Sequence, residues 1–176
     1  MTYKILITGP PRCGKSTLIM RLIEYFNENY FKIQGFITPE IKENNKRVGF
    51  AIKRIRNEEE TILAKKGNFQ AEKRLGNYSI FINKFENFIQ FLEIVNEDEF
   101  DFIIIDEIGK MELHSEKFAR ILKSIFMSNL SVIASIGLNL KHKLKDWLLS
   151  LDDIVLYHVN KENQKKIFDE IISKIQ

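Results

Sequence analysis

The residues of this chain that can do chemistry begin near its amino terminus, in the segment GPPRCGKST. Gly9 and Gly14 permit backbone angles and close approaches that a Cβ atom would block, so consecutive amide groups can turn inward around phosphate oxygens. Lys15 can then reach the β- and γ-phosphates, and the hydroxyl group of Ser16 is placed to hold Mg²⁺. The pattern predicts a phosphate-binding loop of the Walker A type. We expect all nine residues to contact the nucleotide: Gly9, Pro10, Pro11, Arg12, Cys13, Gly14, Lys15, Ser16 and Thr17.

The context of this segment supports the prediction. A short apolar run, Ile5 to Ile7, precedes it and predicts a strand. Apolar residues then repeat at helical spacing from Leu18 to Phe26, which predicts a helix that ends at about Asn29. The start of a helix presents unpaired N–H groups and the positive end of a dipole, both of which favour bound phosphate.

A second candidate lies far downstream, in FDFIIIDEIGKMEL, Phe100 to Leu113. Its apolar run predicts a central parallel strand, and Asp106 follows that run where the Mg²⁺-binding Walker B aspartate is expected. Glu107 can accept a proton from a water molecule that attacks the γ-phosphate. Neighbouring residues on a regular strand point to opposite faces. Both carboxylates can therefore reach one site only if the strand ends at about Asp106 and the chain turns, with Gly109 free to adopt an unusual backbone angle.

Composition limits the remaining possibilities. A length of 176 residues fits one domain spanning residues 1–176, and an apolar content of 44% with 29% charged residues is typical of a globular protein. One cysteine excludes an internal disulfide and favours a cytoplasmic setting. We find no signal peptide or membrane-spanning run, and a net charge of +3 gives no indication of a nucleic-acid partner.

The order of predicted elements indicates the fold class. Strands are predicted at residues 33–38, 61–64, 78–82, 131–136 and 154–159, with Asn44-Asn45 as the turn of an antiparallel excursion after the second strand. Helices are predicted from Phe85 to Val95, from Phe118 to Phe126 and from Ile167 to Ile175. This alternation predicts an α/β protein with three layers and a mostly parallel sheet.

Several tempting motifs have simpler structural explanations. The segment DEIG also fits the DxxG of GTPases, but the chain has no NKxD motif to read guanine. We interpret NKFE, Asn83 to Glu86, as a helix-capping pair and Asn160 of NKEN as an ordinary N-cap. The cluster of Lys141, Lys143 and Lys145 predicts a solvated helix face. The three histidines show no metal-ligand spacing.

Taken together, these segments resemble the small nucleoside-triphosphatase family known from thermophiles, which also has a human cancer-related member. The resemblance is carried by GPPRCGKST, GFITPE, KRVGF, GNYSI and above all DEIGKMEL, and it runs to about residue 127. It implies a RecA-like P-loop fold and Mg²⁺-dependent hydrolysis of ATP, GTP and other nucleoside triphosphates with little base selectivity. By this resemblance, Lys15 and Glu107 are catalytic, and Ser16 and Asp106 hold the metal. Arg12 stands where the family usually has glycine, and Lys42 where it usually has arginine.

The sequence therefore predicts a cytoplasmic hydrolase that binds a nucleoside triphosphate and Mg²⁺. Two alternatives share the loop and the metal carboxylate. A nucleotide or nucleoside kinase would need an acceptor pocket and an arginine-bearing lid, for which the candidates are Arg47, Arg54, Arg56 and Arg74. A slow nucleotide-dependent switch would bind a protein or RNA partner. The oligomeric state has no signature in the sequence.

Overall fold

Ten strands form one mixed sheet, which the computed structural model describes together with five helices over all 176 residues, Met1–Gln176. The strands are β1 (Lys4–Gly9), β2 (Ile33–Ile37), β3 (Glu40–Glu43), β4 (Lys46–Arg54), β5 (Glu60–Lys66), β6 (Lys73–Leu75), β7 (Tyr78–Ile80), β8 (Phe102–Ile108), β9 (Ser131–Gly137) and β10 (Ile154–His158). The helices are α1 (Lys15–Glu28), α2 (Ile82–Phe88), α3 (Glu116–Met127), α4 (Lys143–Leu149) and α5 (Gln164–Ile175). Short 3-10 turns cover Ile89–Leu92 and Glu112–His114.

Five parallel strands form one half of the sheet, in the order β10-β1-β9-β8-β2. β1 is buried along its whole length, and β8 is buried at every position but Glu107. Strands covered on both faces need continuous apolar runs, which explains why the sequence does not alternate here. The carboxyl ends of β1, β8 and β9 lie at one edge of the sheet, where open α/β sheets place their ligands.

The other half of the sheet is antiparallel and continues outward from β2 as β4-β5-β7-β6, with β3 paired to β4. The predicted excursion is confirmed, and it is as large as the parallel half. Asn44 and Asn45 both have left-handed backbone angles, with φ of 48° and 61°, at the two-residue turn between β3 and β4. Two such residues in succession suit the right-handed twist of a hairpin, and asparagine tolerates them better than most residues.

Helices cover both faces of the sheet and enclose two apolar cores. One core of 17 buried residues lies under α1 and α5, and the other, of 27, lies under α2, α3 and α4. The predicted three-layer arrangement is therefore confirmed. No helix has the length and apolar character needed to cross a membrane.

The structure corrects three local predictions. β6 was not predicted, and the helix expected to reach Val95 stops at Phe88 and gives way to the 3-10 turn Ile89–Leu92. Asn83 and Glu86 are not a capping pair, because α2 begins at Ile82 and its N-cap residue is Phe81. Asn83 instead donates a hydrogen bond to Glu72, and Glu86 accepts one from Ser115.

Candidate functional site

The predicted phosphate loop connects the end of β1 to the start of α1. Gly14 is the N-cap residue of α1 and has a φ of 102°, a left-handed angle that favours glycine. Pro10, Pro11 and Arg12 are exposed, and the loop closes through a 3.3 Å hydrogen bond from the Cys13 N–H group to the Pro10 carbonyl. The first turn of α1 therefore presents its free N–H groups at the same edge as the exposed loop residues.

Arg12 also lies in the left-handed region, with a φ of 59°. A residue with a Cβ atom pays a conformational penalty there that glycine avoids. The glycine that the resemblance leads us to expect at this position would avoid that penalty. Lys42, the second departure, lies on β3 with its side chain exposed, 3.7 Å from a carboxylate oxygen of Glu40.

Lys15 folds back over the loop. Its Nζ atom donates hydrogen bonds of 3.0 Å to the Gly9 carbonyl and 3.1 Å to the Pro10 carbonyl. Both acceptors are backbone oxygens of the loop itself, so the ammonium group lies over the space that the loop encloses. A cation held there faces the position that the pattern predicts for the phosphates.

Cys13 and Gln164 support the loop from beneath. Cys13 is buried, with 5% of its surface exposed, and its thiol packs against Gly9. Gln164, the first residue of α5, donates a 2.9 Å hydrogen bond to the Cys13 carbonyl and packs against Gly14. Cys13 therefore contributes its backbone rather than its thiol to the loop surface.

Asp106 lies at the carboxyl end of β8 and is 5% exposed. The Ser135 hydroxyl donates to its Oδ1 atom, and the Thr38 hydroxyl donates a 2.8 Å hydrogen bond to its backbone carbonyl. Burial raises the pKa of Asp106, while hydrogen bonds from Ser135 and Ser16 and the charge of Lys15 oppose that rise. The loop residues Ser16 and Lys15 are thus close enough to act on this carboxyl group.

Glu107 reaches the same edge by a route that differs from the prediction. β8 does not end at Asp106 but continues to Ile108, and the Asp106–Glu107 peptide bond is cis. The register with β9 shifts so that Asp106 and Glu107 together stand opposite the single residue Ser135. Such a bulge re-aims a side chain within a continuing strand. Burial and the charge of Asp106 raise the pKa of Glu107, and Lys15 opposes the rise.

Gly109 leaves space beside its Cα atom rather than supplying an unusual backbone angle, because its φ lies outside the left-handed region. A Cβ atom at this position would lie 2.8 Å from Oε1 of Glu107 and 2.7 Å from Oε2 of Glu112. The predicted role of an unusual angle at Gly109 is therefore wrong. The glycine separates two carboxyl groups instead.

Four residues at this edge were not identified from the sequence: Thr38, Ser135, Gln164 and Glu112. Ser135 interrupts the apolar run of a buried strand, a signal that could have directed attention to it. Glu112 is 3% exposed, but a charged residue is exposed on average, so its type predicts a surface position. Gln164 follows several polar residues between β10 and α5, and its sequence pattern does not distinguish it from them.

Two further predictions about polar residues are wrong in detail. Lys145 is not part of a solvated face, because its Nζ atom donates to the carbonyls of Gly137 and Leu138 at the end of β9. Asn160 is not the N-cap of α5, which is Asn163. The Asn160 side chain accepts hydrogen bonds of 2.8 and 2.9 Å from the N–H groups of Glu162 and Asn163 in the turn before the helix.

The donor atoms at this edge fit magnesium. Asp106 offers carboxylate oxygens and Ser16 a hydroxyl oxygen, and Mg²⁺ prefers oxygen ligands. Proteins hold this ion with one or two carboxylates together with substrate phosphates, so a single buried aspartate beside a phosphate loop is sufficient. No group of three or more histidine, cysteine, aspartate or glutamate side chains is arranged to hold a metal ion.

Comparison with known proteins extends the resemblance to nearly the whole chain. The family described as NTPase matches residues 4–172. Nucleoside-triphosphatase THEP1 of Methanocaldococcus jannaschii is 38% identical over 173 residues, which are 98% of this chain and 96% of that protein. The THEP1 protein of Sulfolobus acidocaldarius is 34% identical over 98% of this chain and 94% of its own length.

Solved structures show the same architecture. The crystal structure of THEP1 from Aquifex aeolicus is 32% identical and superposes with a TM-score of 0.85, covering 98% of this chain and 99% of that one. The solution structure of a human cancer-related nucleoside triphosphatase is 25% identical with a TM-score of 0.85, covering 99% and 98%. The expected P-loop NTPase fold and the resemblance to this family are both confirmed.

Proposed function

Because the chain belongs to the NTPase family and is a nucleoside-triphosphatase, we propose that it hydrolyses ATP, GTP and other nucleoside triphosphates to the diphosphate and phosphate, with Mg²⁺. The observation that carries the proposal is the meeting of four side chains at one edge of the sheet. Ser16 and the charge of Lys15 oppose the rise that burial causes in the pKa of the Asp106 carboxyl group, and the charge of Lys15 also opposes the rise in the pKa of Glu107. A phosphate-binding loop and a candidate base thus face the same space.

In this proposal the loop from Gly9 to Thr17 binds the triphosphate through its backbone N–H groups and the first turn of α1. Lys15 exchanges its two carbonyl partners for phosphate oxygens, which makes it available without any change in the fold. Asp106 and Ser16 hold Mg²⁺, which neutralises phosphate charge when bound. Ser135 orients the Asp106 carboxylate through its hydrogen bond.

Glu107 accepts the proton of the attacking water molecule. The water oxygen forms a bond to the γ-phosphorus, and the bond from that phosphorus to the β–γ bridging oxygen breaks, leaving the diphosphate. Glu107 is suited to this task because no side chain donates a hydrogen bond to it, so its oxygens are available to water. Positioning and charge neutralisation supply most of the catalysis in reactions of this class.

Low base selectivity is proposed because the asparagines beside the loop are already engaged. Both polar groups of the Asn163 side chain bond within its own turn, one to the Asn160 N–H group at 2.8 Å and one to the His158 carbonyl at 2.9 Å. The Asn160 side-chain oxygen accepts two N–H groups of the same turn. A side chain committed in this way is not free to read guanine.

The kinase alternative lacks its lid. The four arginines that could have formed one are all engaged elsewhere. Arg47 bonds to Glu40 and Tyr78, Arg54 lies over the Phe91 ring, Arg56 pairs with Glu99, and Arg74 bonds to Asn68. Hydrolysis needs no such lid, so this observation favours water as the acceptor.

Residues 1–176 act as one NTPase domain in this proposal. β1, which carries the loop, pairs with β9 and β10, so segments far apart in the sequence build the site together. We further propose a cytoplasmic location, since the single cysteine is a free thiol.

The test is phosphate release from a panel of nucleoside triphosphates, with and without Mg²⁺ and with and without nucleoside or nucleotide acceptors. We expect Mg²⁺-dependent release from several triphosphates that acceptors do not increase. Lys15→Ala should nearly abolish release and weaken triphosphate binding, and Ser16→Ala should chiefly damage the Mg²⁺-dependent rate. Acceptor-dependent transfer, or parental kinetics in both variants, would reject the proposal.

A further inference from the structure

Glu112 is a buried acid to which the proposed reaction gives no role. It begins the 3-10 turn Glu112–His114 that follows β8, and 3% of its surface is exposed. Its carboxyl group has the N–H groups of Gly109 and of Glu112 itself as polar neighbours. Burying an ionisable side chain costs free energy unless the group is neutral or has a partner of opposite charge. The position therefore calls for an explanation beyond local packing.

The geometry connects Glu112 to Glu107. The position of a Cβ atom on Gly109 would lie 2.7 Å from the Oε2 atom of Glu112 and 2.8 Å from the Oε1 atom of Glu107. The two carboxyl groups therefore both border the space that a side chain at position 109 would occupy. A 3.1 Å hydrogen bond from the Leu113 N–H group to the Gly109 carbonyl closes the turn that holds this glycine in place.

Burial and neighbouring charges affect the pKa values of the two groups differently. Burial and then the charge of Glu107 raise the pKa of Glu112 to about 8, so its carboxyl group is neutral near pH 7. Glu107 is less buried and faces Lys15, whose charge opposes the rise in its pKa. Glu112 is therefore a buried, neutral group on the far side of Gly109 from Glu107.

We propose that Glu112 is a positioning residue for Glu107, a neutral acid that braces the Gly109 turn and holds the water-activating carboxylate at the edge of the sheet. This inference rests on the proposed function, in which Glu107 is the base. This positioning role also explains why DEIGKMEL extends beyond the metal aspartate. Gly109 leaves room for the Glu107 carboxylate, and Glu112 packs on the other side of Gly109.

The experiment compares Glu112→Leu and Glu112→Gln with the parent in kcat, KM, binding of a fluorescent triphosphate analogue and thermal unfolding. Leucine keeps the bulk without a polar group, whereas glutamine imitates the neutral acid. We expect Glu112→Leu to lower kcat by about 10- to 100-fold, as for a misplaced catalytic group, while analogue affinity stays within about 3-fold. Glu112→Gln should keep most of the parental turnover.

A double-mutant cycle tests whether Glu112 affects turnover through Glu107. If Glu112 acts through Glu107, Glu112→Leu should cost turnover in the parent but nearly nothing in a Glu107→Gln background. Gly109→Ala, whose added methyl group meets both carboxyl groups, should also lower kcat more than it changes analogue affinity. It serves as the second variant if Glu112→Leu does not fold.

Glu86→Gln is the matched control. Glu86 accepts a 2.6 Å hydrogen bond from Ser115 beside the same turn, but it forms no hydrogen bond with Glu107. We expect it to lower the unfolding temperature without changing kcat. Parental kcat in folded Glu112→Leu, or an equal loss in the Glu107→Gln background, overturns the positioning role. Parental turnover in Glu107→Gln alone instead removes the proposed base, so the two failures are distinguishable.

Discussion

Asp106 and Glu107 are adjacent carboxylates with different surroundings, for which we propose different tasks. The Ser135 hydroxyl donates a hydrogen bond to Asp106, and Ser16 lies close enough to oppose the rise in its pKa, which suits the proposed metal ligand. Glu107 accepts no side-chain hydrogen bond and is the more exposed of the two. A base must exchange water at its oxygens, so this freedom suits the proposed role.

Exchanging each carboxylate for its amide should therefore give different results. We expect Glu107→Gln to lower turnover by about 10² to 10⁴, because an amide cannot take a proton, while Mg-nucleotide affinity stays within a few-fold. Asp106→Asn should raise the Mg²⁺ concentration needed for half-maximal rate as well as lower the rate. Steady-state kinetics with Mg²⁺ titrations measure both. A parental rate in Glu107→Gln would move water activation to another group.

Arg12 offers a test of backbone strain separate from charge. Arg12→Gly and Arg12→Ala both remove the guanidinium group, but only alanine keeps a Cβ atom at a φ of 59°. We expect the glycine variant to be more stable than the alanine variant by about 1 kcal/mol in urea unfolding. Equal turnover in both variants would assign any change from the parent to the lost charge. Equal stability would contradict the strain.

At the scale of elements, α5 holds the phosphate loop through one side chain. Gln164→Ala removes the 2.9 Å hydrogen bond to the Cys13 carbonyl, a loss of about 1 kcal/mol. Since the loop must then be ordered by the ligand, we expect triphosphate affinity to fall about 5-fold. Gln176→Ala is the control, because Gln176 bonds to Tyr25 at the other end of α5. Equal affinities in the two variants, measured by calorimetry, would show that α5 does not order the loop.

The elements that could be predicted from sequence are those with long apolar runs or clear periodicity. The run before Asp106 predicted β8, and the spacing from Ile167 to Ile175 predicted α5. β6 has three residues, two of them charged, and such a segment carries no alternation to detect. Its pairing with β7 comes from tertiary contacts.

The candidate site divides in the same way. The loop and Asp106 follow local patterns, because phosphate binding constrains consecutive residues. The bulge that brings Glu107 to the edge depends on the register of β8 against β9. The register between two strands that are distant in sequence cannot be predicted from the sequence of either strand alone. Glu112 was missed because polar residues are exposed on average, and only the fold reveals that this one is buried.

For the molecule as a whole, buried acids make stability depend on pH. Burial raises the pKa of Glu112 from 4.5 to about 8, so between these values the folded chain holds a proton that the unfolded chain has lost. The free energy of unfolding therefore falls as pH rises through this window, by at most about 1.4 kcal/mol per pH unit for this group. Asp106 and Glu107 contribute in the same direction, and His114, whose pKa is lowered, in the opposite one.

Glu112→Gln isolates this contribution, since glutamine does not titrate. We expect the variant to gain stability relative to the parent as pH rises from 5 to 8, measured by urea unfolding without nucleotide and with a chelator present. A difference between the two proteins that is constant over this range would show that Glu112 is ionised in the folded chain.

The position of β1 in the sheet has a consequence for how the chain comes into being. β1 carries the phosphate loop and is synthesised well before its two neighbours in the sheet, β9 and β10. A ribosome that has released residues 1–127 has delivered the loop but neither strand that flanks it. Bound nucleotide can therefore stabilise the fold only after β9 and β10 have emerged, and a nascent chain should remain unable to retain triphosphate until then.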